Sequence, residues 1–265
     1  MIIDFEFEDV KKFLPKRAIN SNKYDSGQLL IIGGDEKYPG AIILAAQMAI
    51  KSGVGLTYLY TKSQNVIKVL KEFPEIIVFD NQNRLAEIFS DNIPILAGPG
   101  TINNKWTRDT YNLIKDKALT TILDAAYIEQ IKPNDSVKAK ILLPHEGEAA
   151  RLLGTSSSQI KDNRVKSILT ISNEYNAYVI LKGYRTLISD GSKVYRCMNG
   201  DSKLSTAGTG DVLAGLIGGL MAQGLEIMQC CQLAVALHGS SSDEYSQSST
   251  LIASELIDHV RMKMD

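Results

Sequence analysis

Short apolar runs alternating with longer stretches of helical periodicity constrain this chain more than any other feature. The runs lie at residues 28–32, 56–61, 75–79, 93–97, 121–123, 140–143 and 178–181. Most are separated by helix-like segments, such as 41–52, which Gly53 closes. A continuous apolar strand is buried on both faces, which calls for a parallel sheet covered by helices on each side. The predicted fold class is therefore α/β, with a central, mostly parallel sheet between two helical layers. Near the end the rhythm changes: runs at 186–189 and 193–197 flank Asp190-Gly191, a hairpin signal, and helices are predicted to begin near Asp211, Glu226 and Thr250.

Polar and glycine clusters fall at one end of five of these strands: Gly33-Gly34, Gly98-Pro99-Gly100, Asp124, Pro144-His145 and Lys182-Gly183. In a parallel sheet the carboxyl ends share one edge, where open α/β proteins bind ligands. Glycine used only for turning would be scattered over both ends.

Along that edge the most chemical segment is Ser205-Thr206-Ala207-Gly208-Thr209-Gly210-Asp211, followed by an uncharged run over 212–225. Gly208 and Gly210 allow a tight turn that presents backbone N–H groups to an anion at the positive end of a buried helix. Asp211 has two readings on the residues alone, a helix N-cap or a base beside a bound phosphate. Gly215, Gly218 and Gly219 read as close helix–sheet packing. His145 follows a proline at a strand end, and Glu148, three residues on, shares its helical face. Each has a bland reading as well, as a structural histidine and a first-turn acid. Lys182-Gly183-Tyr184-Arg185-Thr186 offers a cation, a flexible turn and a hydroxyl between two strands, which in isolation reads as a basic β-turn. His238 and His259 read as structural.

Composition narrows the classes further. With 265 residues, 44% of them hydrophobic, and no Pro/Gly/Ser linker, the chain reads as one domain over 1–265. A net charge of −1 advertises no nucleic-acid surface. The first ten residues lack an apolar signal core, and 212–225 is too short and glycine-rich to span a bilayer, so no membrane partner and a cytoplasmic location are expected. Cys197, Cys230 and Cys231 are odd in number and lack CxxC spacing, which reads as reduced thiols. A dinucleotide dehydrogenase is disfavoured: Gly33-Gly34 lacks the full glycine fingerprint, and Thr61-Lys62 stands where an acid would end the second strand.

Five blocks resemble one family in order. They are Gly27-Gln28-Leu29-Leu30-Ile31-Ile32-Gly33-Gly34 with Gly40-Ala41 and the helix to Ser52-Gly53-Val54-Gly55; Ala97-Gly98-Pro99-Gly100; Leu142-Leu143-Pro144-His145-Glu146-Gly147-Glu148; Leu181-Lys182-Gly183-Tyr184-Arg185-Thr186; and Thr206-Ala207-Gly208-Thr209-Gly210-Asp211-Val212-Leu213-Ala214-Gly215. Together they resemble ADP/ATP-dependent NAD(P)H-hydrate dehydratase, of the ribokinase-like superfamily. The likeness runs from about residue 10 to the C-terminus.

The resemblance implies a three-layer ribokinase-like fold and a repair reaction. NADH hydrate or NADPH hydrate is phosphorylated by ADP or ATP with Mg²⁺, and phosphate, a better leaving group than hydroxide, then departs. It implies Asp211 as the base, with Gly208 and Gly210 as the anion hole, and Ala41, Gly100, His145 and Asp211 lining the hydrate site. Lys182, Gly183, Tyr184, Arg185, Thr186 and Gly210 would take the adenine nucleotide, and Glu148 would organise magnesium through water. A homo-oligomer, by family analogy a tetramer, is expected. The first block starts too early for the epimerase domain that many relatives fuse at the N-terminus, so a stand-alone dehydratase is expected. A vitamin-precursor kinase of the same superfamily and a non-catalytic nucleotide-binding protein are the competing readings.

The chain departs from the family pattern twice. Ala126 stands where a second acid would follow Asp124, which makes Asp124 a lesser candidate. Asp201-Ser202-Lys203-Leu204 replaces the family's Asn-Pro-Gly-Met, and Lys203 is predicted to contact a phosphate.

Overall fold

The computed structural model describes all residues except 90–92, 116, 118–119, 134, 136–138 and 247–249. Its strands are β1 (Ile2–Phe5), β2 (Gln28–Ile32), β3 (Leu56–Tyr60), β4 (Ile77–Phe79), β5 (Ile95–Ala97), β6 (Thr120–Leu123), β7 (Ala139–Leu142), β8 (Tyr178–Leu181), β9 (Leu187–Ser189) and β10 (Val194–Cys197). They form one sheet in the order β1-β10-β9-β8-β7-β6-β5-β2-β3-β4. Among the described residues β9 alone runs against the others, pairing antiparallel with both β8 and β10.

The both-face burial inferred for the strands is explicit in β2. Leu29 and Ile31 join one core, Leu30 and Ile32 the other, and all four are fully buried. The first core is covered by α1 (Phe7–Val10), α2 (Pro39–Lys51), α3 (Ser63–Glu72), α9 (Thr209–Ala222), α10 (Ile227–Asp243) and α11 (Ala253–Met264). The second is covered by α4 (Gln82–Ile88), α5 (Lys105–Ile114), α6 (Glu146–Leu152), α7 (Ser157–Asp162) and α8 (Arg164–Tyr175). The expected three layers are present.

Helix boundaries follow local chemistry. Pro39 sits at the first position of α2, where its missing N–H costs nothing, and Gly53 at φ +104° ends the helix. The Asp190-Gly191 hairpin forms as read: Asp190 Oδ1 accepts from the N–H groups of Ser192 (2.9 Å) and Lys193 (3.0 Å). Within the serine-rich stretch 240–249, Ser240, Ser241 and Ser242 belong to α10, and 247–249 lie outside the described residues.

The α2–α9 contact sets the position of the anion turn, and glycine makes it possible. A Cβ on Gly215 would lie 2.1 Å from Ala45 O, and one on Gly219 would lie 1.9 Å from Ser52 Oγ. Gly215→Val is therefore expected to destabilise by about 3 kcal/mol or more through overpacking. Thermal unfolding should show a Tm lowered by roughly 6–12 °C. Gly40→Ala, whose Cβ meets nothing within 4 Å, should not lower it. An unchanged Tm for Gly215→Val would remove this packing argument.

Candidate active site

The five clusters read from the sequence end five adjacent strands, β8, β7, β6, β5 and β2. At the usual interstrand spacing they span about 19 Å of one sheet edge. Between β5 and β2 the strand order reverses, the crevice where open α/β sheets take ligands. There Gly100 (φ +69°) and Ala41 meet: a Cβ on Gly100 would be 3.0 Å from Ala41 Cβ and 2.4 Å from Tyr38 O. Both predicted small residues thus share one spot, and its smallness is required.

The anion turn departs from expectation in one detail. The N-cap of α9 is Gly208 in the left-handed region (φ +93°), so the helix starts at Thr209 and Asp211 is its third residue. A side chain on Gly208 would also strike Leu44 Cδ1 at 2.6 Å and Ala253 Cβ at 2.9 Å. Asp211 therefore does not cap the helix. Its carboxylate accepts no hydrogen bond from the described residues, although it is half-buried. Burial, then the nearby charge of Asp124, pushes its pKa up to about 7, against the pull of Lys182. A carboxyl poised there at the positive end of a helix can take a proton near neutral pH.

Lys182 stands amid three acids. Its Nζ lies 2.7 Å from Asp124 Oδ1 and 3.9 Å from Glu148 Oε2, and its backbone N–H donates to Pro144 O at 2.9 Å. Burial alone would lower its pKa, but Asp124 and Glu148 outweigh this and raise it. Asp124, the lesser candidate of the sequence, is thus the principal partner of the site's cation. His145 is the N-cap of α6: its Nδ1 accepts from Gly147 N (2.9 Å) and Glu148 N (3.2 Å), while its backbone N–H donates to Glu148 Oε2 (2.7 Å). Burial raises the pKa of Glu148, opposed chiefly by Lys182.

Beside the turn lies a cavity of about 590 Å³, within the size range of small-molecule sites. Lys182, Gly183, Tyr184, Arg185, Thr186 and Gly210 all line it, so the predicted nucleotide residues converge. Tyr184 is 70% exposed at its mouth, with the Arg185 guanidinium 5.0 Å from its ring centre. Arg185 itself is held at φ +55°, a strained position for a non-glycine residue, by donation to Met198 O.

A family model described as NAD(P)H-hydrate dehydratase matches residues 29–262. The chain belongs to the NAD(P)H-hydrate dehydratase family. It is 33% identical over 252 residues to the ADP-dependent (S)-NAD(P)H-hydrate dehydratase of Neisseria meningitidis, covering 89% of this chain and 83% of that one. It is also 33% identical to a bifunctional NAD(P)H-hydrate repair enzyme of Coxiella burnetii, covering 97% of this chain but 54% of the relative. The chain thus spans about half the length of the bifunctional relatives it matches. The crystal structure of the Bacillus subtilis ADP/ATP-dependent NAD(P)H-hydrate dehydratase, co-crystallised with ATP/Mg²⁺, superposes with a TM-score of 0.87 at 26% identity over 99% of both chains. A ribokinase-like superfamily protein of Enterococcus faecalis shares the fold, with a TM-score of 0.91 at 23% identity.

Some residues stand differently from the reading of this dehydratase-family sequence. Lys203, predicted to contact a phosphate, pairs with Asp201 of its own loop at 2.6 Å, and Asp201, Ser202 and Leu204 of that loop line the cavity. His238, read as structural, lines the cavity beside Gly210, whereas His259 does not. His238 Nε2 meets Thr209 O at 2.9 Å, with burial lowering its pKa to about 4, and His259 packs edge-on against Tyr245. The three cysteines are free and buried, and burial pushes Cys197 up to about 12, so the thiols are inert. Sequence reading missed Asp35 at the crevice, buried and held by Asn104 Nδ2 at 2.6 Å and Lys62 at 3.4 Å. It also missed Arg164, which no motif marks.

Proposed function

We propose that this chain restores NADH and NADPH from their S hydrates at the expense of ADP or ATP. The observation that carries this reading is Asp211, a half-buried carboxyl in the first turn of α9 whose pKa burial and Asp124 push up to about 7. The hydroxyl of the hydrated ring gives its proton to Asp211 as its oxygen attacks the terminal phosphorus, and the phosphoanhydride bond breaks. Backbone N–H groups of the first turn of α9, which have no partner inside the helix, face the transferred charge. The ring C–O bond then breaks with its electrons leaving on phosphate, and a ring proton is lost. Ala41, Gly100 and His145 bound the ring side, and residues 182–186 hold the nucleotide.

Among the described residues no group of three or more His, Cys, Asp or Glu is arranged to hold a metal. The oxygens of Glu148 are already engaged by His145 and Lys182. The residues therefore fit Mg²⁺ carried by the nucleotide phosphates and met by Glu148 through water, where it would offset phosphate charge. Among the described residues no helix is long and apolar enough to cross a membrane. Free buried cysteines support the cytoplasm, and Ile67 and Leu70, exposed one turn apart on α3, offer an apolar face for self-association. The extent of the two cores across one sheet supports a single domain over 1–265.

The test is purified protein with NADH hydrate, Mg²⁺ and ADP or ATP in parallel, followed at the absorbance of reduced nicotinamide. Recovery is expected with at least one nucleotide. No recovery with either, or a stable phosphorylated alcohol from a vitamin precursor, would overturn the reading in favour of a kinase.

A further inference from the structure

Arg164 opens α8, away from every motif, yet it reaches both walls of the site. Its Nη2 donates to Leu181 O at 3.1 Å and Lys182 O at 3.5 Å, and its Nη1 donates to Tyr184 O. One planar fork therefore holds three carbonyls of the turn that lines the nucleotide cavity. Gly183, at φ +134°, lets the turn close on it: a Cβ there would lie 3.2 Å from Nη2. Five fixed donors suit this task, whereas a lysine would offer one point charge.

The Nε donor is out of place. Nε of Arg164 is fully buried and has no hydrogen-bond partner. Its nearest acid is Glu146 Oε1, 4.0 Å away, in the first turn of α6 between His145 and Glu148. Lys161 also approaches Glu146, at 3.6 Å. A buried N–H without a partner is costly, and an ionised group more so. Shortening the Nε–Oε1 gap to hydrogen-bond length needs a movement of about 1 Å. That movement would draw the start of α6, with its capping His145, toward the nucleotide turn.

We propose that Arg164 is a positioning residue that fixes the nucleotide turn through its Nη atoms and couples it, through Nε and Glu146, to the hydrate side of the site. This rests on the function proposed above. Nucleotide that orders residues 181–184 sets the guanidinium in place, and the guanidinium then holds α6 for the hydrate. Coupling of this kind is reciprocal, so each ligand tightens the other by the same factor.

Calorimetric titration of the full chain with AMP and with NADH hydrate, each alone and in the presence of the other, tests this. AMP carries no transferable phosphoryl group, so no turnover intervenes. In the unaltered protein each ligand is expected to tighten the other by about fivefold or more. Arg164→Lys should weaken AMP by about tenfold. Glu146→Met, which removes the acceptor, should leave each ligand's separate affinity within about twofold but reduce the coupling factor to near one. The circular dichroism of both variants should match that of the parent. Undiminished AMP affinity in Arg164→Lys would overturn the positioning role, and full coupling in Glu146→Met would overturn the link to α6. If the unaltered protein binds AMP and restores NADH but shows no coupling, this inference fails while the function stands. If it binds no AMP and restores no NADH, both fail.

Discussion

Asp211→Asn is expected to lower kcat for hydrate repair by about 10³-fold, the scale of a lost general base. AMP affinity should stay within about twofold, because the amide preserves shape and the backbone N–H groups remain. In the unaltered enzyme kcat/KM should rise as pH climbs through about 7, where Asp211 loses its proton. Asp124→Asn should move that limb to lower pH, since Asp124 is one of the charges holding the Asp211 pKa up. The same carboxyl destabilises the fold. With a folded pKa above the ordinary carboxylate value, its contribution to stability is complete at low pH and is lost as pH rises through about 7. Asp211→Asn should therefore match the parent in stability near the unperturbed carboxylate pKa and exceed it above neutrality, by about 2–4 kcal/mol, with a higher Tm. Stopped assays and thermal melts across pH check both halves. Equal turnover would remove Asp211 from the chemistry, and a Tm difference independent of pH would remove the burial argument.

Lys182→Met should be the most damaging single change to stability at the sheet edge. The Asp124 side chain is 6% exposed and that of Glu148 7%, and Lys182 is the cation beside both. Removing one partner of a buried ion pair costs about 3–5 kcal/mol, because the other charges stay buried. For a chain of this size that is a Tm lowered by roughly 10 °C or more. Burial already raises the Glu148 pKa, and Lys182 is the main force opposing it. Without Lys182 the Glu148 pKa climbs further, so the penalty is greatest at alkaline pH and shrinks as acid protonates the carboxyl. Melts at pH 5 and pH 8 should show that divergence. A uniform loss at both would mean the lysine acts by packing rather than by charge.

What could be read from the sequence was what is local or periodic. β2 and β8 have the boundaries predicted, because a run buried on both faces announces itself without any partner. The anion turn was legible as glycine and acid chemistry, but the start of α9 was not. Gly208 takes a left-handed cap, which moves the helix start ahead of Asp211 and frees its carboxylate. β1 was missed, since its acid-bearing four residues resemble a solvated tail until β10 is beside them. Asp124 was undervalued for a similar reason: its partner Lys182 is 58 residues away, and no local pattern reveals a salt bridge at that separation. Arg164 sits at an ordinary helix start and gains its meaning only from the carbonyls folded over it.

The place of β1 in the sheet has a consequence for biosynthesis. Ile2 pairs with Val194 and Phe5 with Cys197, and the Phe7 N–H donates to Asn199 Oδ1 at 2.8 Å. Asn199 also lines the cavity beside the anion turn. On the ribosome β1 must wait for β10 to emerge, about 10–40 s at ordinary elongation rates. Throughout that interval Phe5, Phe7 and Val10 have no core to enter, and they are natural handholds for a chaperone. Sealing of the sheet and completion of the cavity wall are then one late event, so a stalled nascent chain would hold neither.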